Sequence, residues 1–224
     1  MSRTALLLGA SGLVGGHCLS QLLAEPDYAA VTILVRKSLP LTHPKLMQRV
    51  VNFDQLNEAA ESFRVQDVFC CLGTTIKTAG SQEAFRRVDF TYPTESARLA
   101  MQQGAQQFLL VSSLGADAKS SVFYSRTKGE VERAIAASDM TSVQIFRPSL
   151  LLGERAEVRF GERLAEKVSR AISFLLVGLL RKYRPIEAHA VAAAMLAVAK
   201  QQAMGVNIYE SDRIAQIATE NGSQ

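Results

Sequence analysis

Tyr124 and Lys128 stand four residues apart in Tyr124-Ser125-Arg126-Thr127-Lys128-Gly129-Glu130, so on one helix they share a face. A phenol beside a fixed ammonium is a proton-exchange pair. A free phenol has a pKa of about 10, and a neighbouring cation is what lets it trade a proton nearer neutrality. Eleven residues before Tyr124, Ser113 follows Ser112 at the end of a strand-like run, in Ser112-Ser113-Leu114-Gly115-Ala116. Tyr-x-x-x-Lys alone recurs by chance, so its weight depends on what else the chain carries.

What it carries is Gly9-Ala10-Ser11-Gly12-Leu13-Val14-Gly15, directly after the first strand-like run and directly before a helical pattern. Unpaired N–H groups and the positive end of a helix dipole favour an anionic diphosphate at such a place. Gly9 allows the tight turn, Gly12 the close approach of backbone to phosphate, and Gly15 close packing of helix on strand. The pattern is Gly-x-x-Gly-x-x-Gly, not Gly-x-Gly-x-x-Gly, and it gains meaning from its strand-loop-helix setting. A second strand ends at Val35 with Arg36-Lys37, where many NAD-binding chains carry an acid for the ribose 2′-hydroxyl. Two cations there suit a 2′-phosphate, so the expected cofactor is NADP(H). Asp54 could accept a hydrogen bond from an adenine amino group or cap the helix that starts at Gln55, and the two roles can coexist.

Positioning these residues requires alternating strands and helices. Strand-length apolar runs recur at Thr4 to Leu8, Val31 to Val35, Arg49 to Asn52, Asp67 to Leu72, Gln107 to Ser112 and Ser142 to Phe146, several of them continuous as in strands buried on both faces. Helical periodicity lies between, at Leu13 to Ala24, Phe90 to Gln103 and Ser125 to Ala137. The expected fold is α/β: a Rossmann-type, doubly wound parallel sheet with right-handed crossovers. Residues 1–153 form the nucleotide-binding domain. Residues 154–224 form a small helical extension packing over the substrate side in the same compact body, with helical stretches at Glu162 to Arg181 and Glu187 to Gln202, a strand at Val206 to Tyr209, and a frayed end from Thr219 to Gln224.

The 224 residues are 48% apolar and 21% charged, which excludes disorder for the bulk of the chain. The net charge of +4 is spread without blocks of like charge, too mild for a nucleic-acid partner. Cys18, Cys70 and Cys71 follow no metal-ligand spacing and indicate a reducing compartment. His17, His43 and His189 lack a second ligand at zinc spacing and read as packed or exposed histidines. The chain leads from Met1-Ser2-Arg3 straight into a strand, and Ala171 to Leu180 is interrupted and too short to span a bilayer. Cytoplasmic location is therefore expected, with no stable membrane insertion. Residues 163–182 could instead form an interfacial membrane helix, although a core or subunit-interface helix is the favoured reading.

Together with Cys70-Cys71-Leu72-Gly73-Thr74-Thr75, Lys128-Gly129-Glu130-Val131-Glu132 and Phe146-Arg147-Pro148, these motifs resemble the short-chain dehydrogenase/reductase superfamily, in its atypical single-domain branch. Within that branch the sequence is similar to the Tat-interacting-protein (CC3-like) group of NADPH-binding proteins, from the first strand to about Gly153. The resemblance implies that Gly9, Ser11, Gly12, Leu13, Val14 and Gly15 line the pyrophosphate and that Arg36 meets the 2′-phosphate. It further implies that Leu72, Gly73 and Thr74 pass beside the adenosine ribose and phosphates, that Tyr124 and Lys128 hold the nicotinamide ribose, and that Arg147-Pro148-Ser149 flank the nicotinamide. Tyr124 would be the general acid, Lys128 its electrostatic partner, and a serine the carbonyl-polarising donor. Counting back from Tyr124 points to Ser113, whereas matching the strand end to extended family members puts Leu114 in that place and leaves the donor missing.

The resulting expectation is an NADPH-dependent reductase of a small carbonyl compound. The alternative from another class is an NADP(H)-binding regulator or scaffold with little turnover, and a homodimer or a protein partner is compatible with either.

Overall fold

The structure, a computed structural model, describes residues 2–153 and 178–221. Six of its strands overlap the apolar runs: β1 (Arg3–Leu8), β2 (Tyr28–Val35), β3 (Leu46–Val50), β4 (Asp67–Cys70), β5 (Gln107–Val111) and β6 (Ser142–Arg147). A two-stranded parallel pair, β7 (Leu151–Leu152) with β8 (Ile186–Glu187), stands apart, and β9 (Gly205–Glu210) returns to the main sheet. The seven-stranded sheet runs β3-β2-β1-β4-β5-β6-β9, with every pairing parallel. This is the Rossmann-like order. Successive strands step one way from β1 to β3 and then restart on its other side at β4. The chain direction therefore reverses between β1 and β4, where a crevice opens at the carboxyl ends of the strands.

Side-chain alternation explains why β1 needs cover on both faces. Ala5 and Leu7 join one apolar cluster and Leu6 and Leu8 the other, all fully buried. On the first face lie α1 (Leu13–Ala24) and an alanine-rich α6 (Ala188–Gln201), whose small side chains let the two helices approach closely. On the second lie a 3₁₀ segment (Phe53–Phe63), α4 (Tyr92–Gln102) and α5 (Phe123–Ala136).

Several elements differ from the sequence expectation. β3 is Leu46–Val50 instead of Arg49 to Asn52, because its register on β2 pairs Val31 with Leu46 and Val35 with Val50. That leaves Asn52 free to cap the 3₁₀ segment. Two short helices, α2 (Ile76–Ala79) and α3 (Gln82–Arg86), and a π-helical turn (Arg87–Thr91) precede α4, in a stretch where the apolar pattern indicates no helix before Phe90. Residues 205–210 pair with β6 and complete the sheet. The final helix, α7 (Ser211–Asn221), is not frayed from Thr219: it is anchored by buried Ile214 and Ile217 and continues to Asn221. The stretch Glu162 to Arg181, and the membrane-surface reading attached to it, fall largely outside the described residues; its end forms a 3₁₀ turn, Gly178–Tyr183. Among the described residues no helix is long and apolar enough to cross a membrane.

Candidate active site

The crevice is built from the carboxyl ends of neighbouring parallel strands. At the end of β1, Gly9 has φ +85°, and a Cβ there would lie 2.5 Å from the Cys71 carbonyl oxygen, so both conformation and space demand glycine. The Gly12 N–H donates to the Gly9 carbonyl at 2.9 Å and closes the turn. At Gly15 a Cβ would stand 2.0 Å from the Gly9 carbonyl oxygen, so only a bare backbone lets α1 start this close to the strand. Gly12 caps α1 without any side-chain hydrogen bond, and the first turn holds no acidic residue. N–H groups of that turn are thus left for an external anion. A dinucleotide diphosphate fits this cradle, with Ser11, Leu13 and Val14 beside the glycines.

Arg36 and Lys37 are exposed just beyond β2. Asp54, also exposed, does not cap the 3₁₀ segment; Asn52 does, its side chain accepting the Asp54 N–H at 3.0 Å. The Asp54 carboxylate instead accepts from the Tyr92 hydroxyl at 2.8 Å. Burial and Asp54 push the Tyr92 phenol above its ordinary pKa, against the opposing positive charges of Arg87 and Arg36. The region beyond β2 and β3 therefore carries two arginines around one tyrosine-carboxylate pair.

At the end of β4, Leu72, Gly73 and Thr74 lead away from the sheet. The Thr74 N–H donates to Asp89 Oδ2 at 2.9 Å, and Asp89 Oδ1 lies 2.7 Å from Lys128 Nζ. Both charged side chains are buried, Asp89 completely so and Lys128 with 7% of its side chain exposed. Burial acts to lower the Lys128 pKa, but Asp89, through its charge and hydrogen bonding, together with Tyr124 and Cys70 outweighs it, and the ammonium is held above its ordinary value. Asp89 comes from the π-helical turn, a local insertion that aims a side chain off the helix repeat.

Tyr124 and Lys128 lie on α5 as their spacing predicts, and Tyr124 faces the cleft. Its ring packs on buried Phe85, with centroids 5.6 Å apart. The Ser112 hydroxyl donates to the buried Glu132 carboxylate one turn beyond Lys128. Glu132 also receives the Arg147 guanidinium, through Nε at 3.0 and 3.1 Å and through a further, terminal nitrogen. This hydrogen bond and charge hold the Arg147 pKa up, so Arg147 lies at the end of β6 as a paired cation. Among the described residues the Ser113 hydroxyl makes only a long, 3.3 Å contact with the Leu114 carbonyl. Ser113, Tyr124, Pro148 and Ser149 line a cleft of about 720 Å³, with Leu150 and Tyr183 also on its wall.

The sequence thus points to the glycine loop, Tyr124, Lys128 and the strand ends that the fold brings together. It missed Asp89, Glu132 and Phe85. Glu132 had a visible signal, an acid one helical turn after Lys128. Asp89 and Phe85 had none, since both reach the site from a stretch without clear periodicity.

Comparisons with known proteins agree with this geometry. Residues 9–202 match the family described as NAD(P)H-binding. The chain is 41% identical over 170 residues to Protein HTATIP2 of Rattus norvegicus, covering 74% of this chain and 70% of that one. It is 30% identical over 218 residues to Protein FMP52, mitochondrial, of Candida albicans, covering 94% and 93%. Among solved structures, the Bordetella bronchiseptica enzyme WbmH in complex with NAD+ superposes with a TM-score of 0.71 at 13% identity, covering 94% of this chain and 76% of that one. MoeE5 in complex with UDP-glucose and NAD does so with a TM-score of 0.69 at 16% identity, covering 97% and 81%. A parallel sheet with its crevice at the β1–β4 reversal, an uncapped glycine loop at that point and a match across most of the chain lead to one conclusion: this chain belongs to the NAD(P)H-binding family and has a Rossmann-type fold.

Proposed function

We propose that the chain is an NADPH-dependent reductase of a small carbonyl compound. The observation that carries this reading is the pairing, in one crevice, of an uncapped glycine loop with a Tyr124–Lys128 face that opens on a cleft. When bound, the reduced nicotinamide supplies a hydride. Gly9, Ser11, Gly12, Leu13, Val14 and Gly15 hold the diphosphate, and Leu72 to Thr74 run beside the adenosine side. Lys128 and Tyr124 hold the nicotinamide ribose, while Arg147 and Pro148 flank the ring. Tyr124 donates its phenolic proton to the carbonyl oxygen, giving the alcohol. Ser113 is assigned as the donor that polarises that oxygen, because the Ser112 hydroxyl is engaged by Glu132. Preference for NADPH rests on Arg36 and Lys37 where an acid would favour the unphosphorylated ribose.

In Tyr124→Phe, NADPH affinity should stay nearly unchanged while turnover of responsive carbonyl substrates is abolished. Equal turnover in the variant contradicts the role. The commitment of Ser112 to Glu132 and of Lys128 to Asp89 favours one second reading, a regulator that binds NADP(H) and catalyses little. Binding without cofactor oxidation over a broad carbonyl panel, with partner binding that changes on NADPH addition, selects it. We assign the protein to the cytoplasm, where its free cysteines remain reduced. Fractionation of the native protein tests this, and recovery with mitochondria, as in the names of its fungal relatives, overturns it.

A further inference from the structure

We propose that Asp89 is a positioning residue that fixes Lys128 and ties it to the cofactor-side loop, so that Lys128 serves as a preset hydrogen-bond donor and not as an unpaired cation. The inference rests on the reading of Lys128 as a ribose-binding residue, but its test reads the lysine itself. A single buried carboxylate spans both halves of the site. Oδ1 sits 2.7 Å from Lys128 Nζ on α5, and Oδ2 accepts the Thr74 N–H at 2.9 Å in the loop after β4. Gly73 threads between them: a Cβ on it would lie 3.5 Å from Asp89 Oδ1 and 3.7 Å from Lys128 Nζ. Movement of that loop and movement of the ammonium are therefore linked through one side chain.

The charge balance around Lys128 makes Asp89 the controlling partner. From β4, Lys128 is met by the Cys70 thiol, whose burial pushes its pKa up to about 12 and leaves it neutral. From its own helix it is met by Tyr124, while the charge of Glu132, one turn on, is taken by Arg147 of β6. Lys182 and Glu210 at the cleft wall neutralise each other at 3.0 Å. Asp89 is the carboxylate among the described residues that reaches Lys128 directly. An ammonium buried this deeply without it would give up its proton far more readily.

The experiment labels lysine with ¹³C, follows the Lys128 Cε resonance against pH in the full chain without cofactor, and assigns it with Lys128→Met. In the wild type its midpoint should lie above the ordinary lysine value of 10.5. In Asp89→Asn, which keeps the shape and the Thr74 acceptor, the midpoint should fall by at least about one pH unit. NADPH affinity, flat from neutral to alkaline pH in the wild type, should then decline with the Lys128 midpoint in the variant. An unchanged midpoint in folded Asp89→Asn overturns the proposal. Should that variant not fold, the wild type still decides: a midpoint at or below the ordinary value overturns it, and one above supports it. NADPH failing to bind the wild type contradicts the proposed function yet leaves the lysine titration readable.

Discussion

At the scale of residues, Lys128 links the site to stability. Against the opposing effect of burial, its pKa is raised in the folded chain by Asp89 with Tyr124 and Cys70, so its contribution is complete below the unfolded value of 10.5 and is lost as pH rises through the higher folded value. Denaturation midpoints followed from neutral to strongly alkaline pH should therefore fall more steeply above 10.5 for the wild type than for Lys128→Met. Arg36 belongs to the same scale but acts on selectivity. Arg36→Ala should lose roughly 1.5–3 kcal/mol of NADPH binding, the value of a charge-assisted contact, while NADH binding changes little. Competition titrations with the two cofactors give that ratio. Tyr124 and Lys128 could be read from the sequence because their relation is local, four positions on one helix. Asp89 could not, because its partner lies on a different helix across the β4 loop and nothing in Arg87-Val88-Asp89 distinguishes a buried acid from a solvated one. Asp54 shows the converse: its exposed carboxylate was visible, but its partner Tyr92 is a tertiary neighbour.

At the scale of elements, backbone proximity governs. Gly129 follows Lys128 on α5, and a Cβ on it would meet the Ala118 nitrogen at 2.1 Å. Gly129→Ala must push α5 away from the β5–α5 loop and carry Tyr124 and Lys128 with it. Turnover should therefore fall much further than NADPH affinity, as paired steady-state and binding measurements would record. Gly9→Ala combines an unfavourable left-handed conformation, about 1–2 kcal/mol, with a clash on Cys71, and should weaken both folding and cofactor binding. Strands and long helices were legible because burial writes their period into the apolar pattern: α1 coincides with Leu13 to Ala24, and β1, β2, β5 and β6 with their apolar runs. The one-turn helices α2 and α3 were not, since they are too short to show a period and rest on local caps from Thr75 and Ser81.

At the scale of the whole molecule, strand order decides where the site lies, and no local pattern encodes it. The crevice exists because β4 returns to the far side of β1, a consequence of how the two apolar faces are shared among helices. The opposite end of the sheet is closed by Asp67, which accepts from Arg3 Nε at 2.7 Å, the Tyr28 hydroxyl at 2.6 Å and Gln107 Nε2 at 2.6 Å. That carboxylate binds β1, β2 and β5 to β4 away from the site. Asp67→Ala strands these buried partners and should cost about 3 kcal/mol, lowering Tm by roughly 10 °C without changing cofactor selectivity.

The central claim, that a pyridine dinucleotide lays its diphosphate on the open first turn of α1, is tested most directly by titration calorimetry. Wild-type protein should bind NADPH in one-to-one ratio, and Gly15→Ala, which displaces that turn, should bind at least about tenfold more weakly with its fold intact by circular dichroism. Absence of heat with NADPH, NADP+, NADH and NAD+ at millimolar excess, or equal affinity in Gly15→Ala, would contradict it.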